Sequence, residues 1–260
     1  MDFAIRRAVT ALTMGEDAER HFETAAQRIQ HALLEVSMPS LDSLECGIHA
    51  EPARLVGGDY IDLYLCTPRS LVFALGDASG KSLAAAMTAL MLRYLVRGLV
   101  KALGPDDLSL ILRHVNDIVG EELDEGSFIT FLIGRYDTTT CSLCVANAGH
   151  EPPVVLRKGS DRVELLEHHG IVLGVDPAPS FPQIETSLAP GDLLTVYTDG
   201  LTEATNERGE LYTLARLARD LIAYRDRPAQ AIADALFERV RAYALGELRD
   251  DATILVLRAR

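Results

Sequence analysis

The sequence predicts a layered α+β fold, and two observations support this prediction. Apolar, β-prone runs occur in groups that are interrupted by pairs of helices, rather than in regular alternation of strand and helix. Apolar residues make up 48% of the 260-residue chain, which is enough for a sizeable core. That length lies within the single-domain range of a sandwich or mixed fold.

The order of the elements follows from these runs. Strands are predicted over residues 45–50, 59–65, 71–75, 127–136, 142–147, 154–156, 163–165, 184–188, 193–197 and 252–257. Helices are predicted over residues 83–103, 107–123, 214–224 and 229–244. The second of these helices follows Gly104-Pro105-Asp106, which is a typical start signal.

Residues 1–40 form a separate N-terminal helical segment in this prediction, and residues 41–260 form the main domain. The helical pattern covers residues 3–37 and contains an apolar stripe with 4-3-4-3 spacing. The stripe consists of Phe22, Ala26, Ile29, Leu33 and Val36. A short amphipathic hairpin would fit the helical pattern. Two interpretations fit the packing of the stripe: a dimer seam over residues 17–37, through which the segment could regulate the main domain, or packing against the chain's own main domain.

Composition and charge exclude several kinds of partner and location. The net charge of −13 argues against nucleic acid or an anionic membrane as the main partner. No window of about 18 uninterrupted apolar residues is present, so no transmembrane helix is expected. The first seven residues lack the long apolar core of a signal peptide, and we therefore expect a cytoplasmic protein.

Four aspartates in short, well-separated motifs are the main candidates for function. Each of them lies beside an apolar, β-prone run, where the end of a strand can direct a carboxylate into a shared cleft. They are Asp59 in Val-Gly-Gly-Asp, Asp77 in Gly-Asp-Ala-Ser-Gly-Lys, Asp199 in Tyr-Thr-Asp-Gly, and Asp250 in Asp-Asp-Ala-Thr. Glycine beside an aspartate allows close approach of a ligand. Carboxylate oxygens are the ligands that Mg²⁺ and Mn²⁺ prefer.

Taken together, the motifs resemble the SpoIIE-like branch of the PPM-type metal-dependent serine/threonine phosphatases. The resemblance covers about residues 44 to 257 and keeps the family's order of motifs. The matching segments are Pro52–Asp59, Leu75–Lys81, Phe128–Thr130, Asn147–Pro153, Leu188–Asp192, Tyr197–Ala204 and Asp250–Thr253. The resemblance implies an αββα sandwich, in which helices flank two central antiparallel sheets.

The resemblance also implies the roles of the acidic residues. Asp77 would bridge two Mn²⁺ or Mg²⁺ ions, and the backbone carbonyl of Ala78 would join it. Asp59 would serve one ion, whereas Asp199 and Asp250 would serve the other. Asp251 would be a hydrogen-bonded neighbour of the ligand, although a shift of one residue would exchange it with Asp250. Such a pair of ions activates a shared water and stabilises charge in phosphate ester hydrolysis.

Several other residues have both a functional and a structural interpretation. Arg54 is either a phosphate-binding donor or a solvated side chain. His150 is more simply explained, together with Asn147, by a turn between strands than by catalysis. Ser79 occupies the position where another branch of the family places a histidine as a general acid, so no side chain is assigned that role here.

Two pairs of residues suggest metal binding only weakly. Cys141 and Cys144 have the spacing of a zinc or redox site, but no second pair completes such a site. Both lie within a strand-like run, so their side chains should point to opposite faces. His168-His169 lies in a polar loop without a nearby acidic pattern. We therefore expect structural cysteines and surface histidines.

The resemblance predicts a protein phosphatase that acts on phosphoserine or phosphothreonine. The family's frequent substrate is a phosphorylated STAS-domain anti-sigma-factor antagonist in a partner-switching circuit. Two alternatives remain open at this point. One is a non-catalytic phosphatase-like docking module, against which the four retained aspartates argue. The other is a phosphatase of a small phosphorylated metabolite.

Overall fold

The computed structural model describes residues 34, 36, 38, 39, 41–80, 83–124, 126–167 and 170–260. Within them lie ten strands, whose bounds are β1 Leu44–Glu51, β2 Asp59–Thr67, β3 Ser70–Ala78, β4 Ile129–Asp137, β5 Ser142–Ala148, β6 Val154–Leu156, β7 Val163–Leu165, β8 Gln183–Ser187, β9 Leu193–Tyr197 and β10 Ala252–Ala259. The helices of the same residues are α1 Leu83–Leu103, α2 Leu108–Glu122, α3 Asp199–Thr202, α4 Thr213–Tyr224 and α5 Ala229–Tyr243. None of these helices is long and apolar enough to span a membrane.

The strands form two five-stranded antiparallel sheets. The first sheet has the order β1-β10-β9-β6-β7, and the second has the order β2-β3-β4-β5-β8. Buried side chains of α1 and α2 pack on the outer face of the second sheet, and those of α4 and α5 pack on the first. A third apolar cluster lies between the sheets. This arrangement is the predicted αββα sandwich.

Periodic apolar patterns in the helices explain which face each helix buries. In α2, the buried residues recur at three- and four-residue intervals, as in Leu108, Ile111, Leu112, Val115 and Val119. The side chain of Asp107 caps this helix by accepting a hydrogen bond from the Leu110 backbone N–H at 2.8 Å. The start signal that the sequence indicated is therefore confirmed.

Five of the ten predicted strands, β1, β2, β3, β5 and β10, extend further in the structure than predicted. The strand predicted over residues 71–75 runs from Ser70 to Ala78, because pairing with both neighbouring strands continues through Gly76 and Asp77. One element was missed, the four-residue helix α3 that begins at Asp199. Cys141 was wrongly placed in a strand. It precedes β5 with a φ of 57°, in a left-handed turn conformation.

The end of the N-terminal segment packs against the chain's own main domain. Leu34 and Val36 of the segment, like Leu41 just after it, are partly buried against the apolar cluster between the sheets. At Val36, the last residue of the apolar stripe, the segment therefore packs against the chain's own main domain. The other four stripe residues lie outside the described residues, and the dimer seam over residues 17–37 stays a prediction.

Candidate metal centre

The register of the second sheet brings three polar residues into one row. Asp59 at the start of β2 lies opposite Asp77 of β3, and Asp77 lies opposite Thr130 of β4. Directly paired residues of antiparallel strands project from the same face of a sheet. The predicted bridging residue Asp77 thus lies between Asp59 and Thr130 at one end of the sandwich.

Asp59 connects this row to the other sheet. Its Oδ2 accepts hydrogen bonds from the hydroxyl of Thr198 at 2.9 Å and from that of Thr253 at 2.7 Å. Thr198 follows β9, and Thr253 belongs to β10, so both donors come from the first sheet. Asp59 is only 2% exposed. Burial raises its pKa well above the usual range, and the nearby carboxylate of Asp77 adds to this effect.

Asp199 and Asp250 form a second acidic pair on the first sheet. Asp199 begins the short helix α3 after β9. Asp250 lies just before β10, close enough for its charge to affect the pKa of Asp199. Burial raises the pKa of Asp199 to about 6, with the charge of Asp250 as the next cause. The carboxylate of Asp250 accepts a hydrogen bond from the Asp251 backbone N–H at 3.0 Å.

Two further glutamates lie near Asp199, and neither was among the predicted site residues. The charges of Glu203 and Glu151 contribute to the raised pKa of Asp199. The hydroxyl of Tyr197 lies 3.4 Å from Oε2 of Glu151, and burial raises the pKa of that carboxyl group. Both glutamates lie inside matching motifs, Asn147–Pro153 and Tyr197–Ala204, which was the available signal.

Asp251 has a structural task that fits its predicted place beside a ligand. Its carboxylate accepts hydrogen bonds from the backbone N–H groups of Ala53 and Gly58, each at 2.8 Å. It is 3% exposed. These bonds fix the loop that leads into Asp59, so both oxygens of the Asp251 carboxylate are engaged by that loop. Asp250, which is partly buried, stays the predicted ligand of the two.

Two glycines of the same loop are required by close packing. A Cβ atom on Gly57 would lie 2.0 Å from Oδ2 of Asp251, and one on Gly58 would lie 2.3 Å from the carbonyl oxygen of Ala78. The Gly58 carbonyl in turn accepts a hydrogen bond from the Ala78 backbone N–H at 3.2 Å. The backbone of the Asp59 loop therefore sets the position of the Ala78 carbonyl.

The remaining candidate residues occupy supporting or peripheral positions. The side-chain amide of Asn147 bonds to both the backbone N–H and the carbonyl of His150, which confirms the turn interpretation. Burial lowers the pKa of His150 to about 4, and its Nδ1 lies 2.9 Å from the Thr130 hydroxyl. Arg54 is exposed in the loop before Asp59. Both cysteines of the Cys-x-x-Cys pair are free thiols.

Asp62 links β2 to α1. Its carboxylate accepts two hydrogen bonds from the Arg97 guanidinium, at 2.7 and 2.6 Å. The same guanidinium lies over the ring of Tyr64, 4.8 Å from its centroid. Both residues therefore support the strand from its helix-facing side. His168 and His169 lie outside the described residues.

Comparison with known proteins identifies the family. Residues 67–260 match the model of the SpoIIE family, Stage II sporulation protein E. The chain belongs to the SpoIIE family. The matched span includes Asp77, Asp199 and Asp250, and it begins after Asp59. The observed two-sheet fold is that of the PPM-type phosphatase domains among the solved structures.

Relatives of this SpoIIE-family chain include both characterised proteins and solved structures. Phosphoserine phosphatase RsbU of Bacillus subtilis is 27% identical over 248 residues, which cover 94% of this chain and 72% of RsbU. The RsbU and RsbW domains of Rv1364c from Mycobacterium tuberculosis superpose with a TM-score of 0.76 at 24% identity, covering 89% of this chain and 63% of that one.

A more distant structural neighbour was solved with metal. The catalytic domain of the serine threonine protein phosphatase PstP, in complex with 2 manganese ions, has a TM-score of 0.62 at 16% identity. The match covers 84% of this chain and 98% of the PstP domain. Identities this low show a common fold.

The donor set of this SpoIIE-family chain has the chemistry of a site for hard divalent cations. Two pairs of carboxylates and one backbone carbonyl supply only oxygen donors. Within the described residues, no three His, Cys, Asp or Glu side chains come close enough to hold a single ion. Burial is the main cause of the raised pKa of both Asp59 and Asp199, and repulsion from neighbouring carboxylates adds to it. Positive charge between the pairs would relieve that repulsion.

Proposed function

We propose that this chain hydrolyses phosphoserine or phosphothreonine on a protein with the help of two divalent ions, Mn²⁺ or Mg²⁺. The observation that carries the proposal is the arrangement of four aspartates as two repelling pairs at one end of the sandwich. The proposed ligands are Asp59, Asp77, the Ala78 carbonyl, Asp199 and Asp250. Of these, Asp77 and Asp199 would be the residues on which catalysis depends most.

Some residues of the chain would hold the two ions, and others would set the positions of the ligands. Bound ions would activate a water molecule and stabilise charge on the phosphoryl group. Asp77 would join the two pairs, since it lies beside Asp59 at the end of β3. The loop held by Asp251 would keep Gly58 against Ala78, and so direct the carbonyl of Ala78 toward the cleft. Arg54, exposed on that loop, would bind the substrate phosphate.

The proposed substrate is a phosphorylated STAS-like protein, and the main support is similarity to RsbU. A protein substrate also suits a chain whose acidic site is reached from the surface, because Asp77 and Asp199 are only partly buried. We place the protein in the cytoplasm. Residues 1–40 would form a regulatory segment that could dimerise, and residues 41–260 the phosphatase domain.

The decisive experiment is manganese-dependent release of phosphate by wild type and Asp77→Asn. A phosphorylated STAS protein, a phosphoserine peptide and p-nitrophenyl phosphate serve as substrates in parallel. Loss of the bridging charge should lower the rate at least about a hundredfold, because a metal supplies several kcal/mol of charge stabilisation. Asp226→Asn, an exposed aspartate remote from the aspartate pairs, is the matched control and should retain the wild-type rate.

The result also separates the alternatives. If wild type releases phosphate from none of these substrates with manganese, the docking-module alternative holds. A high rate on small phosphate esters with none on the phosphoprotein would favour a metabolite phosphatase. An Asp77→Asn protein that keeps more than about a tenth of the wild-type rate would contradict the two-ion mechanism.

A further inference from the structure

A cleft opens directly beside the proposed metal ligand Ala78. It has a volume of about 240 Å³ and lies between the start of α1 and the end of α2. Small side chains of α1 form one wall, and the segment around Phe128 forms another. The lining includes Ala78, Ser79, Ala84, Ala85, Thr88 and Phe128. A group bound in this cleft would therefore lie next to the proposed metal centre.

Phe128 is an exposed aromatic residue that is held rigidly at this cleft. The Ser79 backbone N–H donates to the Phe128 carbonyl at 3.0 Å, and the Phe128 N–H donates to the Ser79 hydroxyl at 3.0 Å. The side chain nevertheless remains 40% exposed. Two residues further along, Thr130 pairs with Asp77, so the backbone that carries Phe128 is fixed relative to the metal centre. Rigid exposed aromatic side chains are typical anchors of binding sites.

The charges at the cleft indicate which substrates it would favour. Within the described part of the chain, the charged residues that line it are Glu122 and Asp124, both carboxylates and both exposed. They would repel a phosphate and attract a lysine or arginine. A phosphoserine would therefore place its phosphate at the metal centre and a neighbouring basic side chain in the cleft.

We propose that this cleft is a specificity site for the segment that flanks the phosphoserine. An apolar side chain of the substrate packs on Phe128, and a basic one lies near Glu122 and Asp124. The occupant is the protein substrate itself, because the cleft is continuous with the centre where its phosphate would react. This inference rests on the proposed phosphatase function and adds a sequence preference to it.

The test compares short synthetic peptides with a central phosphoserine. The reference peptide carries leucine and arginine on both sides, a second peptide replaces leucine with glycine, and a third replaces arginine with glutamate. Each kcat/KM is divided by that for p-nitrophenyl phosphate, which is too small to fill the cleft. For wild type, we expect the reference peptide to exceed each of the others by about tenfold, as is common when one anchor contact is removed.

Variants at the cleft then test the residues. Phe128→Ala should lower the ratio for the reference peptide by about tenfold, and Phe128→Leu should largely restore it. Changing both Glu122 and Asp124 to lysine should reverse the preference between the arginine and glutamate peptides. Leu245→Ala, at an exposed apolar residue after α5, and a Glu238→Lys, Glu247→Lys pair are matched controls that should leave both ratios unchanged.

Each outcome decides between the two proposals. Equal ratios for all three peptides in wild type, or an unchanged ratio in Phe128→Ala, would overturn the specificity site while leaving the phosphatase intact. A parallel loss of peptide and p-nitrophenyl phosphate hydrolysis in Phe128→Ala would also overturn it, since the residue would then be structural. If wild type hydrolyses no substrate with manganese, the phosphatase proposal fails and the specificity site fails with it.

Discussion

Removal of the Asp251 carboxylate should damage the metal centre without removing any proposed ligand. In Asp251→Ala, the backbone N–H groups of Ala53 and Gly58 lose their acceptor, to which both bond at 2.8 Å. A hydrogen bond to a charged group contributes about 1.5–3 kcal/mol. We therefore expect the free energy of unfolding to fall by about 3–6 kcal/mol, and the melting temperature by roughly 10 °C.

The effect on metal binding follows from the freed loop. Gly58 would no longer be held against Ala78, so binding of Mn²⁺ would have to reorder at least one backbone residue. Ordering one residue costs about 1–2 kcal/mol, which corresponds to a roughly five- to thirtyfold higher Kd for Mn²⁺. Calorimetric titration of the metal-stripped protein with MnCl₂ measures this Kd, and thermal denaturation without metal measures stability.

Asp192→Ala is the matched control for this experiment. Asp192 is also 3% exposed and also accepts two backbone hydrogen bonds, from Lys158 at 2.8 Å and Ala189 at 3.0 Å. It lies at the start of β9, at the opposite end of that strand from Asp199. Its loss should lower stability by a comparable amount and leave the Kd for Mn²⁺ unchanged. If Asp251→Ala binds Mn²⁺ as wild type does, or if Asp192→Ala weakens binding equally, the Asp251 loop does not order the proposed metal centre.

Two further predictions concern the loop glycine and the acidic pairs. Gly58→Ala would place a Cβ atom 2.3 Å from the Ala78 carbonyl oxygen, so this substitution should abolish most manganese-dependent hydrolysis. Gly98 of α1 has open space around it, and Gly98→Ala is the control. This control should retain activity and stabilise the helix by about 0.5–1 kcal/mol. For the metal-stripped protein, the pKa of Asp199 is raised to about 6, so the folded state binds more protons than the unfolded state and stability should fall as pH rises from about 4 through 6. Urea denaturation at several pH values should show a flatter profile for Asp199→Asn; an equally steep profile would assign the effect to other groups.

The sequence allowed the positions of the acidic residues to be predicted, because each lies in a short motif at the end of a run. It did not reveal what holds Asp59. The hydroxyls of Thr198 and Thr253 that bond to its carboxylate are 139 and 194 residues away along the chain. Contacts of that separation depend on how the two sheets stack, and no local pattern encodes them.

Local patterns also failed where tertiary contacts decide the outcome. Gly76 and Asp77 have low β propensity, yet pairing on both sides keeps them in β3. Helix α3 has only four residues, too few for an apolar period to be visible. In contrast, α1 was predicted with its correct ends because its alanine- and leucine-rich pattern continues for 21 residues.

Two carboxylates at the proposed metal centre, one from each side, hydrogen-bond across to the other sheet. Asp59 belongs to the second sheet and bonds to Thr198 and Thr253 of the first. Asp251 precedes β10 of the first sheet and bonds to Ala53 and Gly58, which lead into the second. Both sets of hydrogen bonds lie beside an acidic pair, either Asp59 with Asp77 or Asp199 with Asp250. A shift of one sheet against the other would therefore change the distance between the two pairs. Because Coulomb interactions between buried charges are strong, the affinity for divalent ions should depend on sheet packing as well as on the ligands themselves.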